Sequence, residues 1–231
     1  MIEIRKSEDR GRTLTEWLDS RHTFSFGDYL DRNWMSFRTL RVLNDDVIQP
    51  GSGFGEHPHR DMEIITWVLK GGIKHKDSLG NGSELRHGDA QVMSAGSGIF
   101  HSEFNASQTE PGHFIQTWIF PREKNITPRY EEKHFPIENR LNQWCLIASP
   151  DENNGSLLIN QEAWLYVSTL EQNQKIEKNL NGLHAYLHVA RGKALVNDTH
   201  MNSGDGAKIT DEETITISSF EPSELLLFEL K

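Results

Sequence analysis

Two histidines one residue apart, His57 and His59, are followed about forty positions later by His101 and Glu103 at the same spacing. Residues i and i+2 of a strand share a face, so this pattern calls for two strands that each present a ligand pair. Three imidazoles and one carboxylate converging from two strands make a site for a divalent metal with room left for substrate. Alternating surface histidines are the plain alternative, and His-x-His alone is a weak signal. Turn glycines beside both pairs, at Gly51-Ser-Gly53 and Gly96-Ser-Gly98, weigh against it.

The remaining chain reads as further strands. Thr23 to Phe26 alternates and puts Phe24 and Phe26 on one face, with His22 beside them as a satisfied core histidine. Leu40 to Ile48 reads as two short strands about an Asn44-Asp45-Asp46 turn. Ile64 to Leu69 is rich in β-branched and aromatic residues and is closed by Gly71-Gly72. Ile73 to Asp77 follows, with His75 between Lys74 and Lys76 on what reads as a solvated face. Leu85 to Ser94 and Phe114 to Phe120 add two more apolar strands. Strands at short intervals, glycine turns and no long amphipathic helix indicate a closed or sandwiched antiparallel β architecture.

Apolar residues make up 35% and charged residues 25% of the 231 positions, the profile of a soluble globular chain. No window approaches the roughly 18 continuous apolar residues of a membrane span, and Met1 to Glu8 carries no apolar export segment. A formal charge of -10, spread over both halves, disfavours direct nucleic-acid binding and leaves a protein partner open. The single cysteine, Cys145, rules out an intrachain disulfide and fits a reducing cytoplasm. Its apolar surroundings, Trp144 and Leu146 to Ala148, indicate a core thiol rather than a nucleophile.

Pro121 to Pro136 is charged and irregular, which places a linker there and divides the chain into residues 1–130 and 131–231. The second part repeats the first. His184 to Gly192 matches Ile64 to Gly71 as strand then glycine, and Ser203 to Ile209 matches His87 to Val92 around a Gly-Asp pair. Counting from those pairs, Ile217 and Ser219 occupy the places of His101 and Glu103. The second part therefore reads as a copy without metal ligands, with His184 and His188 as core or rim residues.

Gly51-x5-His57-x-His59-x3-Glu63 resembles the first cupin motif, and Gly88-x5-Ser94-x-Gly96-x4-His101-x3-Asn105 resembles the second. Ser94 stands where a proline is usual, and the spacer before the histidine is slightly longer. His22-Thr-Phe-Ser-Phe26, His57-Pro-His59-Arg-Asp-Met-Glu63 and Ser94-Ala-Gly-Ser-Gly-Ile-x-His101-Ser-Glu103 are similar to the pirin family of bicupins. The likeness covers nearly the whole chain and is strongest from residue 17 to 130. It implies an all-β bicupin: two antiparallel β-barrel (jelly-roll) cupin domains packed together, the first binding a metal through His57, His59, His101 and Glu103. Spacing alone does not choose the carboxylate, because Asp61 and Glu63 also keep strand parity with His57 and His59. General cupins use the position of Glu63 and pirins that of Glu103, which leaves Glu63 as an acceptor for an imidazole N–H or as an alternative ligand.

The resemblance also implies an activity. Bacterial pirins of this kind are quercetin 2,3-dioxygenases, in which dioxygen opens the central ring of a flavonol and carbon monoxide leaves. Three neutral imidazoles and one carboxylate would leave a divalent ion near +1, which favours a deprotonated flavonol oxygen. Mixed nitrogen and oxygen donors suit Fe(II) and also admit manganese, nickel, cobalt, copper and zinc. Glu103 would take the 3-hydroxyl proton as general base, and Phe54, Phe100 and Trp118 would line a slot for a flat phenolic ring or serve as barrel core. Other pirins act without catalysis, as metal-dependent regulators that bind other proteins. The wider cupin fold also admits an isomerase or another small-molecule dioxygenase.

Overall fold

The computed structural model describes residues Met1–Lys231. It contains strands and short 3-10 turns, and no helix long and apolar enough to cross a membrane. In chain order the first strands are β1 (Ile2–Arg5), β2 (Gly11–Leu14), β3 (Leu18–His22), β4 (Leu40–Ile48), β5 (Gly53–His59), β6 (Glu63–Lys70), β7 (Gly72–Asp77) and β8 (Gly82–Arg86). Next come β9 (Asp89–Ser94), β10 (Ile99–Asn105), β11 (Gly112–Ile119), β12 (Arg129–His134), β13 (Cys145–Ser149), β14 (Leu157–Leu158) and β15 (Ala163–Leu170). The chain ends with β16 (Lys175–Asn179), β17 (His184–Arg191), β18 (Lys193–Val196), β19 (Thr199–Asn202), β20 (Gly206–Ile209), β21 (Thr214–Ser219) and β22 (Ser223–Leu230).

One compact unit comprises Gly11–His134 and Leu157–Gln161. Its large sheet runs β12-β9-β6-β11-β4-β3-β2 and its small sheet β5-β10-β7-β8. β6 pairs on both edges, with β9 and β11, and both its faces are covered, which is why Ile64 to Leu69 is an unbroken apolar run. β7, with one face to solvent, alternates instead: Ile73, His75 and Asp77 are buried while Lys74 and Lys76 are exposed. Ile48, Val68, Ile73, Leu85 and Phe114 fill part of the interior between the sheets.

The other unit comprises Met1–Arg10, Phe135–Ser156 and Glu162–Lys231. Its sheets run β1-β20-β17-β22-β15-β13 and β16-β21-β18-β19, the same order as β12-β9-β6-β11-β4-β3 and β5-β10-β7-β8. β17, followed by Gly192, takes the place of β6, and β20 that of β9, as the repeated Gly-Asp segments require. Leu187, Val189, Leu225 and Leu227 belong to its aliphatic core.

The division of the chain differs from a single cut at 130/131. β1 pairs with β20, Ile4 facing Ala207, so the first ten residues belong to the second unit. The stretch read as a linker contains β12, which pairs with β9 through Arg129–Ser94 to His134–Asp89. Two strand readings are also corrected. β3 ends at His22, and Phe26 makes only an isolated bridge to Tyr29. β4 runs unbroken through Asn44-Asp45-Asp46, because β3 and β11 hydrogen-bond both of its edges there. Cys145 is half-buried rather than sealed in the core.

Since Ile2 and Ile4 pack against the second core, Ile4→Ala should destabilise that unit by about 1–2 kcal/mol, below the range for a fully buried site. A lowered urea midpoint at unchanged slope would register it.

Candidate metal centre

Three neighbouring strands build the site, each with an i, i+2 pair on the inner face of the small sheet. β10 is central: His101 lies opposite His57 of β5 on one side and Asp77 of β7 on the other. Glu103 lies opposite His75. The register between β10 and β5 shifts after His101, so that Glu103 meets Phe54, an irregularity of the kind that re-aims side chains. Gly53 permits the approach beside it, since a Cβ there would stand 2.3 Å from the Glu103 carbonyl oxygen.

The imidazole rings of His57, His59 and His101 are gathered with centroids 4.5 to 4.9 Å apart. His57 Nδ1 lies 2.8 Å from the Gly55 carbonyl oxygen. A carbonyl only accepts, so Nδ1 carries the hydrogen and Nε2 keeps its lone pair. Burial, reinforced by the His101 and His57 rings, pushes His59 down to about 3. Burial and the His57 and His75 rings do the same to His101, also to about 3. Both are neutral near pH 7, the form that binds a metal. Both ring nitrogens of His101 are buried without a hydrogen-bond partner.

Glu103 is 1% exposed and held by two amides. Gln91 Nε2 donates to Oε1 at 2.7 Å and Gln116 Nε2 to Oε2 at 2.6 Å. Each glutamine is itself oriented: Trp118 Nε1 donates to Gln116 Oε1 at 3.1 Å, and Gln91 Nε2 also donates to Thr66 Oγ1 at 3.1 Å, while the one Tyr130 hydroxyl hydrogen is shared between Gln91 Oε1 at 3.1 Å and the Glu132 carboxylate at 2.6 Å. Ligand atoms of His57, His59 and His101 lie within 4.8 Å of one another, while Glu103 groups with His101 and His75.

A cavity of about 340 Å³ opens on this face, within the range of small-molecule sites. His57, His59, Glu103, Phe54 and Trp118 line it. Phe100 does not: it points outward from β10, 50% exposed. Glu63 is likewise apart from the imidazoles. The strand parity that linked it to His59 breaks at the turn after β5, where Asp61 has φ 49°. Its carboxylate accepts from Ser94 Oγ at 2.7 Å and the Asn160 amide at 3.0 Å, and burial raises its pKa.

Three features escaped the reading by motif. His75 is buried, not solvated, and strict alternation with the exposed Lys74 and Lys76 was the available signal. Gln91 and Gln116 are buried on β9 and β11, where a buried amide needs a reason. His22 forms part of the cavity wall, held by Asn44 Oδ1 and Thr13 Oγ1 at 2.8 Å each.

The second unit carries no such constellation at the equivalent register. Where His101 faces His57 and Asp77, Ile217 faces Ile176 and Val196, and where Glu103 faces His75, Ser219 faces Ala194. His184 and His188 lie on β17, the counterpart of β6, away from this face.

A jelly-roll barrel repeated within one chain, with histidine and carboxylate pairs on the inner face of one copy, defines a bicupin. The family model for pirins matches residues 3–119, and that of the quercetinase C-terminal cupin domain matches residues 146–230. The chain belongs to the pirin family. It is 45% identical over 231 residues to the quercetin 2,3-dioxygenase of Escherichia coli K12, covering 100% of this chain and 99% of that one. The structure of the bacterial pirin YhhW from Escherichia coli in complex with nickel(II) is 44% identical, with a TM-score of 0.94 over 100% of this chain and 99% of that one. A quercetin 2,3-dioxygenase structure from Acinetobacter baumannii, 21% identical, shares the fold with a TM-score of 0.74 over 96% of this chain and 85% of that one.

The depressed histidines set a pH dependence. An unfolded imidazole takes up a proton near pH 6.5, whereas His59 and His101 in the fold refuse it until about 3. The metal-free protein should therefore lose stability as pH falls from about 6.5 toward 3, and His101→Gln should flatten that decline in thermal unfolding curves.

Proposed function

We propose that the protein is a metal-dependent dioxygenase that opens the central ring of a flavonol such as quercetin with dioxygen and releases carbon monoxide. The observation that carries this reading is a shared wall: the His57 and His59 imidazoles and Glu103 border the same cavity as Phe54 and Trp118. The name of the Escherichia coli relative supports the reaction, and the nickel(II) complex of YhhW supports a divalent ion.

The residues fit such an ion. Two bare ring nitrogens on buried His101 and a fixed tautomer on His57 are what a metal ligand set needs. In this reading His57, His59, His101 and Glu103 hold one divalent transition metal, for which Fe(II) suits the mixed nitrogen and oxygen donors. When bound, the ion supplies Lewis acidity toward the flavonol oxygen and redox chemistry toward dioxygen.

The chain's own groups do the rest. Trp118, set edge-on to Phe26 at 5.3 Å, and Phe54, set edge-on to Trp17 at 5.2 Å, offer apolar faces to a flat aromatic ring. Glu103 accepts the 3-hydroxyl proton, so that the substrate O–H bond breaks and a carboxylic O–H forms. The Gln91 and Gln116 amides hold that carboxylate in place.

Elemental analysis tests the ligands: His57→Ala, His59→Ala and His101→Ala should each lose most of the bound ion, and full occupancy in the His101 variant would overturn the site. Oxygen uptake and carbon monoxide release with quercetin test the reaction. Glu103→Gln should lower the rate by about 100-fold or more, while Glu63→Gln, remote from the imidazoles, should keep the metal content of the parent protein.

A further inference from the structure

Beside the ligand set lies a second group that the reaction does not use. His75, 2% exposed, stacks on Tyr130 with ring centroids 4.3 Å apart, and its Nε2 lies 3.2 Å from Asp77 Oδ2. Asp77 is an acceptor on both oxygens. Oδ1 takes the Leu79 and Asn81 backbone amides at 2.9 and 3.0 Å, and Oδ2 takes Asn81 Nδ2 at 2.9 Å. His75 Nε2 is therefore the donor in that pair, which leaves Nδ1 as a bare acceptor. His75 Nδ1 is buried and has no partner.

Three ring nitrogens are thus buried and unsatisfied in one small space: Nδ1 of His75 and both nitrogens of His101. The two rings stand 5.4 Å apart by centroid, and ligand atoms of His75, His101 and Glu103 lie within 4.8 Å of one another. Buried polar atoms without partners are rare in native interiors, and each one costs free energy. The two rings make no hydrogen bond to each other as they stand; were they to close on one another, one nitrogen of His101 would take the ion and the other, carrying the hydrogen, would donate to His75 Nδ1.

We infer that Asp77 and His75 are positioning residues, forming an Asp77–His75–His101 hydrogen-bonded chain that fixes the tautomer of His101 and strengthens it as a metal ligand. The inference rests on the reading of His101 as a ligand. It goes beyond that reading by giving His101 an outer partner on β7, in the way that ligating imidazoles depend on the acceptor at their second nitrogen. The relation is built into the register, since β7 sets Asp77 opposite His101 and His75 opposite Glu103.

Two measurements on the full chain test it. The first is Ni(II) affinity by chelator competition, alongside the melting temperature of the metal-free protein. His75→Ala and the milder Asp77→Asn should each weaken Ni(II) binding by about 10- to 100-fold, whereas a merely structural role would move the metal-free melting temperature and leave affinity within twofold. The second uses the unaltered sequence, so it survives a failure of either variant to fold. In Zn(II)-loaded protein with ¹⁵N-labelled histidine, a through-hydrogen-bond nitrogen–nitrogen coupling should join His75 Nδ1 to His101. Absence of that coupling, or a His75 shift showing direct coordination to zinc, overturns the chain. If His101→Ala binds Ni(II) as tightly as the parent protein, the ligand reading has failed. If that variant loses the ion while His75→Ala keeps it, the ligand reading stands and the positioning role is refuted.

Discussion

The site depends on one alignment, the antiparallel register that holds β10 between β5 and β7. It places His101 between His57 and Asp77 and turns three i, i+2 pairs onto one face. A slip of one residue in β10 would send His101 and Glu103 to the outer surface, because strand side chains alternate faces at every step. The buried face of β10 is Ile99, His101, Glu103 and Asn105, while Phe100 and Phe104 point outward, 50% and 39% exposed. This is the reverse of ordinary amphipathic patterning. The hydrophobic effect alone would favour the opposite orientation, so the register must be held by the backbone ladders on both sides of β10 and by Asn105, whose amide donates to the carbonyls of Ile48 and Glu110.

The second barrel indicates what this face costs. There the same topology carries Ile176, Val196 and Ile217 at the matching positions, all in a dry aliphatic core. The fold therefore does not require polar groups at those places. In the first barrel, where both ring nitrogens of His101 lie without partners, the two carboxylates remain buried because each has designated donors: Glu103 between two glutamines, and Asp77 under four donors. Carboxylates engaged to this degree are held rigid as well as tolerated, and a fixed carboxylate suits the proposed metal binding and proton transfer.

Much of this was legible in the chain. The two ligand pairs, the repeat and the all-β class follow from alternation and glycine punctuation, because a period of two survives folding unchanged. What was lost shows where local rules yield to the tertiary setting. Asn44-Asp45-Asp46 reads as a turn by side-chain chemistry, yet these residues stay in a ladder paired on both edges, and Asn44 holds His22 on the cavity wall. His75 was masked by its lysine neighbours, although alternation places it on the opposite face. Glu63 kept its parity on paper only, since the turn at Asp61 resets it. Phe100 adjoins His101 in sequence, but adjacency on a strand guarantees the opposite face.

The exchange of edge strands bears on how the molecule assembles. β1 precedes the first barrel and completes the sheet of the second; β12 leads toward the second and completes the sheet of the first. The β1–β20 ladder joins residues about 200 positions apart, among the most non-local pairings available to a chain of this length. Such contacts form late, because the entropy of closing the intervening loop is lost before the ladder returns anything. During synthesis, β1 must remain unpaired while the whole first barrel takes shape, and it finds its place only when β20 has emerged. β1 is thus made long before it is ordered, and a strand edge of the second barrel stays open to other partners until it arrives.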